Sequence, residues 1–433
     1  MGIYLKPVFK LFVPLLISHF GMFSMSLVDS VMLGHSSAEH VGLQSIGDTP
    51  VTLVLLLLNG LLQGTLFTTA QAFGKNDFPA AGQSLRTALV NGLWLSLMTI
   101  PCLLFAPQLI SLFDYTPEQT GAAASVTRIL SGAIPFSIMF FICMFFLNGI
   151  KKTWLITAFV LAANVLNIFL DWILINGLFG FPRLLSAGAA WATTIVRMFL
   201  GCGLLSYILL HPCFKKFQIW KRGGGRPLRT LQRQLGLSAT ANLLSYEAGA
   251  ACCLFFAAHI GILQASAYTL AYRIYILSNI VGVAFAVAGT VLSGKYVGGT
   301  ASELRKIYSA TIKACGIVML PLCLLCFLGA GSISALLTSD PELSRLTAPL
   351  LQIAAAAMFM RALNSIQIIL LRNIHYLLAP SFWYGLIFIL IMPACCVWWG
   401  SLTQTAGVMW ALAAGNAGAA VVLHYLFIKK STI

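Results

Sequence analysis

Charged residues are scarce in this sequence. They make up 9% of the 433 residues, and only 11 side chains are acidic, whereas a soluble domain usually carries about 25% charged residues. That supply of charge is too small to cover the surface of a water-soluble protein of this length. Because 59% of the residues are hydrophobic, we exclude a soluble enzyme and expect a membrane protein.

The sequence also lacks the motifs of nucleotide, metal and enzyme chemistry. No glycine-rich phosphate-binding loop occurs, so ATP-driven pumping has no support. Cysteine pairs such as Cys252 and Cys253 lie in apolar segments, and the seven histidines are scattered without the spacing of a zinc site. No nucleophile is grouped with a base. We therefore expect no enzyme activity, no cofactor and no metal site built from cysteine or histidine.

Apolar residues fall into twelve long runs separated by polar connections. A helix needs about 20 apolar residues to cross the hydrocarbon core of a bilayer, and longer runs indicate tilted or bent helices. The sequence therefore predicts an all-α polytopic membrane protein with twelve transmembrane helices. The predicted segments are 8–33, 46–73, 82–107, 120–150, 153–177, 185–210, 234–258, 264–293, 304–330, 342–371, 376–400 and 405–428.

Basic and acidic residues lie on opposite sides of these segments. With the N-terminus inside, the cytoplasmic connections hold most lysines and arginines, including the basic run 215–233. The outer connections collect the acids Glu39, Asp48, Asp114, Glu118, Asp340 and Glu342. This asymmetry predicts both termini in the cytoplasm. The net charge of +15 then reflects contact with anionic lipids, and we expect no nucleic-acid partner.

The second half of the sequence repeats features of the first. The matched segments are Leu112–Glu118 with Leu336–Glu342, Gly74-Lys75 with Gly294-Lys295, and Gly188–Trp191 with Gly407–Trp410. Six spans per half make the repeats parallel, related by an axis along the membrane normal. We expect two pseudo-symmetric six-helix bundles with a cleft between them, an arrangement that indicates a transporter. The expected domains are an N-lobe at 1–211, a basic cytoplasmic linker at 212–233 and a C-lobe at 234–433.

Three carboxylates remain inside the predicted spans: Asp29, Asp171 and Glu247. An ionisable group at the bilayer centre costs roughly 2.5–3.5 kcal/mol on insertion scales, so it marks a partner, a cavity or a function. Asn167 lies one helical turn before Asp171 on the same face. Clustered oxygens of this kind could bind a proton or a small hard cation. The alternative is pairing with an arginine of the spans, namely Arg128, Arg197, Arg273 or Arg361.

Pro14 lies in the same predicted helix as Asp29. A proline in a helix interior removes one backbone hydrogen bond and permits a kink. The kink is either static or a hinge that couples helix bending to the state of Asp29, and the sequence favours neither.

Four segments resemble motifs of the multidrug and toxic compound extrusion (MATE) family. They are Val28–Gly34 in the first span, Gly64–Gly74 in the second, Asn164–Asp171 in the fifth and Gly188–Thr193 in the sixth. Their order and spacing, together with twelve spans and twofold repetition, extend the resemblance over the whole chain. It implies an antiporter that works by alternating access and exports organic, often cationic or amphipathic, drug-like compounds against an inward flow of protons or sodium.

The resemblance also implies functional positions. In the N-lobe, the residues that match the cation or proton site of the family are Asp29, Asn167, Asp171 and Thr193. Glu247 matches the acid of a C-lobe site. Many sodium-coupled members have an aspartate in the tenth span where this chain has Asn364. We therefore expect a DinF-like, N-lobe mechanism that favours protons, with sodium held by Asp29, Asn167 and Asp171 as the alternative.

The substrate chamber and the setting of the protein complete these expectations. Met22 and Met25 lie two turns and one turn before Asp29, where soft thioether side chains suit a chamber wall. The resemblance implies a multi-pass monomer in the lipids of the bacterial inner membrane.

Two other functions stay open. A lipid-linked saccharide flippase of the same superfamily would need a strongly cationic cavity, and a passive channel would show flux that cannot run uphill.

Overall fold

The computed structural model describes residues 4–36, 38–105, 108, 116–220, 225–297, 301–338 and 340–430. Every regular element within these ranges is helical. Two 3₁₀ turns lie at Pro212–Phe217 and Gly294–Tyr296, and a π-helical stretch lies at Leu386–Ile391. The α-helices are α1 (Leu5–Ser36), α2 (Ala38–Leu62), α3 (Gly64–Gly74), α4 (Phe78–Leu104), α5 (Pro117–Ser131), α6 (Ile134–Gly149), α7 (Thr153–Asn176), α8 (Ser186–Leu210), α9 (Gly225–Ile260), α10 (Ile262–Ser293), α11 (Ala301–Leu328), α12 (Ala330–Leu337), α13 (Pro341–Asn373), α14 (Leu378–Gly385) and α15 (Met392–Lys430).

These helices provide the twelve predicted spans. In the described part of the chain, nine helical segments are long and apolar enough to cross a bilayer alone, and the pair Gln119–Ser131 and Ile134–Gly149, bent by 44°, makes a tenth. Helix α4, with 27 residues, supplies the third span. The segment Leu378–Lys430 counts as two spans because the backbone is non-helical at Thr403 and Gln404. The all-α, twelve-helix fold class is confirmed.

Contacts divide the chain into two compact units. One unit consists of Ile17–Thr240, and the other consists of Met1–Leu16 together with Ala241–Ile433. Helices α1 and α9 each run across a boundary, so each contributes residues to both units. The domain boundaries expected from the repeat, with an N-lobe at 1–211 and a C-lobe at 234–433, stay a prediction. Residues 221–224 of the expected linker lie outside the described residues.

Two corresponding helix starts reflect the internal repeat. Thr116 caps α5 and Asp340 caps α13, and each is followed by proline. Proline suits the first position of a helix, where its missing N–H is not needed. The preceding residues 111–115, which include Asp114 and part of one matched segment, lie outside the described residues.

Two corresponding glycines lie against the backbone of the preceding span. A Cβ atom on Gly188, at the head of α8, would lie 2.6 Å from the carbonyl oxygen of Leu174. A Cβ on Gly407, at the head of the twelfth span, would lie 2.1 Å from the carbonyl oxygen of Trp399. Both distances are too short for any side chain, so both repeats require glycine for the same close approach.

Side-chain hydrogen bonds join α1 to α7 within the unit Ile17–Thr240. The hydroxyl groups of Ser18 and Thr157 lie 2.8 Å apart. Ser24 donates to Oδ1 of Asn164 at 2.7 Å, and Nδ2 of Asn164 donates to the carbonyl oxygen of Gly21 at 3.0 Å. Such bonds between helices are worth about 0.6 kcal/mol each in a bilayer. They fix the face that α7 turns towards α1.

A close glycine contact lies in the same unit, between α9 and the break that separates α2 from α3. A Cβ on Gly236 would lie 2.0 Å from the carbonyl oxygen of Leu61, and a Cβ on Gly64 would lie 2.3 Å from that of Gln232. The amide of Gln232 also donates to the hydroxyl of Ser84 at 2.9 Å. Small residues let helix backbones meet in a membrane, and polar side chains then bond across the contact.

The beginning of α1 packs within the other unit. The rings of Phe12 and Phe285 are stacked with their centroids 3.8 Å apart. The hydroxyl of Tyr4 donates to Oε2 of Glu303 at 2.6 Å across 299 positions of sequence. The first turns of the chain are therefore tied to residues of its second half.

Candidate functional site

Three helices bring four predicted site residues together in the unit Ile17–Thr240. Asp29 lies on α1, and Asn167 and Asp171 lie one turn apart on α7. Thr193 lies in the second turn of α8. Because residues four apart share a helix face, α7 presents both of its polar residues in the same direction.

One amide group joins the two carboxylates. Nδ2 of Asn167 donates to Oδ1 of Asp29 at 2.9 Å and to Oδ2 of Asp171 at 3.0 Å. The hydroxyl of Thr193 donates to Oδ2 of Asp29 at 2.9 Å. These four side chains form one hydrogen-bonded group, which we call the acidic cluster. Asn164, one turn earlier on α7, bonds to α1 instead, as described above.

The acidic cluster is buried. Asp171 has no exposed surface, Asn167 is 1% exposed and Asp29 is 8% exposed. Two ionised carboxylates that share one amide donor in such a place repel each other and lose their hydration. The Oδ1 atoms of Asp171 and Asn167 have no hydrogen-bond partner within the described ranges. A proton would remove one of the charges, and a small cation would find free oxygen ligands, so the residues fit either ion.

A cavity of about 270 Å³ lies beside the acidic cluster, within the same unit. Asp29, Asn167 and Thr193 form part of its wall, and both predicted chamber residues, Met22 and Met25, also line it. The rest of the apolar wall comes from Leu55, Leu130, Phe140, Phe141, Val196 and Leu200. Residues of the acidic cluster and an apolar surface thus share one chamber.

Sequence reasoning did not assign several polar residues of the cavity wall to the site, among them Gln44 and Asp48. Arg197 also lines the cavity, and the sequence had named it only as an alternative partner of the carboxylates. Asp48, taken from the sequence as an acid of the outer connections, lies inside α2. Gln44 lies one turn before Asp48, and Arg197 lies one turn after Thr193 on α8. The i,i+4 spacing from Thr193 is a signal that could have assigned Arg197 to the chamber.

Pro14 and Glu247 belong to the other unit. Pro14 lies inside α1, just before that helix passes into the unit Ile17–Thr240. Glu247 lies half-buried on α9, where it interacts electrostatically with Arg361 of α13. Glu247 therefore belongs to a different group from the acidic cluster, one that also contains a basic residue, Arg361.

Arg361 and Asn364 make specific contacts in that second unit. The guanidinium of Arg361 lies 3.4 Å from the ring centre of Tyr246, and its Nη1 donates to the hydroxyl of Tyr384 at 3.0 Å. Nδ2 of Asn364 donates to the carbonyl oxygen of Asn416 at 3.0 Å. Asn364, which replaces the aspartate of many sodium-coupled members, thus joins α13 to α15 by a hydrogen bond.

Comparison with known proteins agrees with the fold and with the internal repeat. The model of the MatE family matches the chain twice, at residues 14–173 and 239–398. The two matches are of equal length and together cover most of the chain. One match falls in each half, as the matched sequence segments predict.

Curated relatives match over nearly the whole chain. The probable multidrug resistance protein NorM of Caulobacter vibrioides is 24% identical over 397 residues, which cover 91% of this chain and 84% of that protein. A protein of the same name from Pseudomonas putida is 25% identical over 438 residues, covering 98% of this chain and 94% of that protein.

A solved structure shares the fold. It is the outward-facing conformation of a multidrug resistance MATE family transporter of the MOP superfamily, with a TM-score of 0.88 and 19% identity. The similarity covers 99% of this chain and 96% of that one. The family model matches both halves of the sequence, and the solved transporter shares the fold of the chain over its length. The chain therefore belongs to the MatE family of membrane transporters, which are not enzymes.

Proposed function

We propose that this protein is a cation-coupled multidrug efflux antiporter that exports organic, often cationic or amphipathic, compounds by alternating access. The observation that carries the proposal is the position of the acidic cluster in the wall of a largely apolar cavity. A coupling ion and an organic substrate would there compete for the same negative charge. The names of the two NorM relatives support the substrate class.

The hydrogen bonds of the acidic cluster suggest how an ion would act. Both oxygens of Asp29 accept bonds, from Asn167 and Thr193, whereas Oδ1 of Asp171 has no hydrogen-bond partner among the residues that the structure describes. Asp171 can therefore take a proton without losing a bond. A proton on Oδ2 of Asp29 would only require the Thr193 hydroxyl to rotate and accept the bond. A proton on Oδ1 would face Nδ2 of Asn167, which can only donate and would have to turn away. Proton uptake at Oδ1 would thus loosen α1 from α7, and Pro14 would supply the hinge.

We favour the proton over sodium as the coupling ion. Sodium gives up its water only to several fixed oxygens, and the cluster offers two free ones within the described residues, on Asp171 and Asn167. A proton needs a single carboxylate. Asn364 makes a second sodium site in the C-lobe less favourable, because an amide replaces the charged ligand.

Proteoliposomes with separately imposed gradients test the proposed function. We expect uphill drug efflux to persist in sodium-free buffer under a pH gradient, and to stop when a protonophore removes that gradient. Transport that requires sodium and ignores the protonophore would reassign Asp29 and Asp171 as sodium ligands. Flux that never runs uphill would indicate a channel and would refute the antiporter.

Glu247→Gln should lower efflux by less than any substitution that removes the charge of Asp29. The reason is that the nearby positive charge of Arg361 partly offsets the charge of Glu247, although the two side chains form no direct ion pair among the described residues. The measurement is the initial rate of pH-driven efflux, with the amount of folded protein matched between variants. Complete loss in this variant, together with normal efflux when Asp29 is replaced, would move the coupling site to the C-lobe.

We place the protein in the bacterial inner membrane as a monomer with both termini in the cytoplasm, and in the DinF-like branch of the family. The positive charge of the predicted cytoplasmic connections supports this orientation. The cavity wall carries Asp29 and Asp48 against a single arginine, Arg197. That balance argues against a flippase for pyrophosphate-linked saccharides, which would need a cationic cavity.

A further inference from the structure

Another cavity of the unit Ile17–Thr240 shares no wall residue with the chamber beside the acidic cluster. Its volume is about 250 Å³, and α2, α3, α4 and α9 form its wall. Most of the wall is apolar, with Leu61, Leu95 and Leu237 on three different helices. Arg233 is the one charged side chain among the described residues of the wall. We call this cavity the lateral groove.

The rim of the lateral groove is apolar and exposed. Trp94 and Met98 of α4 are 59% and 66% exposed, and Leu237 of α9 is 59% exposed. Leu93 and Leu97, which neighbour the groove on α4, are exposed as well. Both helices cross the membrane, where lipid tails are as apolar as leucine and exposed apolar side chains contact them without cost. The lateral groove therefore opens towards lipid acyl chains.

Arginines continue the face of α9 that borders the lateral groove. Arg226, Arg229 and Arg233 are exposed and lie three and four residues apart, and Leu237 follows one turn later. Residues at this spacing share one helix face. None of the three arginines forms a salt bridge within the described ranges, and the basic run 215–233 contains no acid. This face of α9 thus changes from cationic to apolar along its length, and a phospholipid changes from phosphate to acyl chain in the same direction.

Close backbone contacts hold the wall of the lateral groove in place. The glycine contact between α9 and the break that separates α2 from α3 involves two wall residues, since Gly236 lies against Leu61 and Gly64 lies against Gln232. The helices meet there without intervening side chains, so this part of the wall cannot collapse inwards. A groove that is already formed loses little conformational freedom when it is filled, which favours binding.

We propose that the lateral groove binds an anionic phospholipid, with its phosphate on Arg233 and Arg229 and one acyl chain against Trp94 and Met98. A guanidinium matches the geometry of a phosphate through paired N–H donors, and basic pockets between spans bind anionic headgroups. An organic cation fits less well, because its charge would meet that of Arg233 and no acid lies among the described residues of the wall.

The depth of these residues agrees with a lipid. Arg233 directly precedes the predicted seventh span 234–258, at the level of the headgroups, whereas Trp94 and Met98 lie within the predicted third span 82–107. The wall residues of α4 extend from Ala88 to Met98, which is about 15 Å along a helix. The groove is therefore long enough to hold an extended part of one acyl chain.

Two lipids with the same acyl chains and different headgroups test the proposal. Phosphatidylglycerol carries a net negative charge, and phosphatidylcholine carries none. Each lipid is titrated into the purified full-length protein in detergent, and native mass spectrometry measures the bound fraction. We expect the wild type to bind phosphatidylglycerol more tightly. Arg233→Gln should weaken that binding about fivefold, the effect of one arginine near an anionic lipid, and should change the binding of phosphatidylcholine little.

Lys75→Gln is the matched control for charge. Lys75 is exposed in the turn between α3 and α4 and is absent from the wall of the lateral groove, so its loss lowers the net charge equally and should leave both affinities unchanged. Melting temperatures without added lipid show that both variants fold. Equal weakening by the two variants, or equal binding of the two lipids by the wild type, would refute the proposal. Displacement of phosphatidylglycerol by inorganic phosphate would show a simple anion site and would also refute it.

Fluorescence quenching locates the acyl chain. Phosphatidylglycerol with brominated chains quenches nearby tryptophans, of which the protein has nine. We expect Trp94→Phe to remove most of the saturable quenching while the bound fraction stays close to that of the wild type, because phenylalanine keeps the wall apolar. Trp220→Phe, which replaces a tryptophan that is 77% exposed and outside the wall, should leave the quenching unchanged. Saturable quenching that survives Trp94→Phe would place the lipid elsewhere and overturn the proposal. Both measurements are made without an ion gradient, so their outcome does not depend on the antiporter.

Discussion

Asp29→Asn should reduce gradient-driven efflux to the level of protein-free vesicles while the protein still folds. The amide has the same size as the carboxyl group, and its oxygen can still accept the bond from Asn167. The hydroxyl of Thr193, which now donates to Asp29, can rotate and accept a bond instead. What the variant loses is the ability to take up and release a proton. Asp171→Asn should show the same loss, because the two carboxylates share one site.

A matched control for these variants is Asp77→Asn. Asp77 is exposed, and its Oδ1 accepts a bond from the backbone N–H of Ala80 at the start of α4. Asparagine caps a helix as well as aspartate does, so this change should leave efflux intact. The comparison uses initial rates at equal amounts of folded protein. Wild-type efflux by Asp29→Asn would exclude Asp29 as the coupling group.

Gly236→Leu should prevent normal folding of the unit Ile17–Thr240. A Cβ at this position would lie 2.0 Å from the carbonyl oxygen of Leu61, and backbone cannot move aside as a flexible side chain can. Overpacking typically costs about 1–3 kcal/mol and occasionally more. We expect the upper end here, because separating the helices also strains the bonds of Gln232. The measurements are the yield of monodisperse protein in size-exclusion chromatography and the melting temperature.

Gly418→Leu is the control for the glycine contact. Gly418 lies in α15 and is exposed, and no atom of the described residues lies within 4 Å of the position that a Cβ would take. The same change of residue should therefore leave yield and melting temperature close to those of the wild type. Equal behaviour of the two leucine variants would show that the close approach at Gly236 contributes nothing.

Helix limits followed from the sequence wherever the apolar runs have clear polar ends. The predicted segments 153–177 and 185–210 agree closely with α7 and α8. The break at Gln63, between α2 and α3, was not predicted, because the run 46–73 was taken as one continuous span. Gly60 and Gly64 flank the break, but the contact of Gly64 with α9 depends on long-range packing that the sequence does not show.

The site was predicted in part, and for a definite physical reason. Asp29 and Asp171 could be recognised because a carboxylate in a membrane is costly. Helical spacing predicted that Asn167 lies on the same face as Asp171, but not that it also bonds to Asp29. Asp48 was missed because it lies at the end of a predicted span and was counted with the acids of the outer connections. Arg197 was recognised only as a possible partner of the carboxylates, because the sequence does not show which neighbours its helix face meets. Only the helix orientations assign them to the cavity wall.

The division of α1 between the two units has a consequence for biogenesis. The helix is made first, yet the partner of Tyr4, Glu303, is 299 positions later in the chain. At about 5–20 residues per second, translation needs about 15–60 s to supply that partner. Phe12 likewise waits for Phe285. Insertion of the first helix and its final packing are therefore separate events, and until the second half emerges, lipid and water must solvate the surface that these partners later cover.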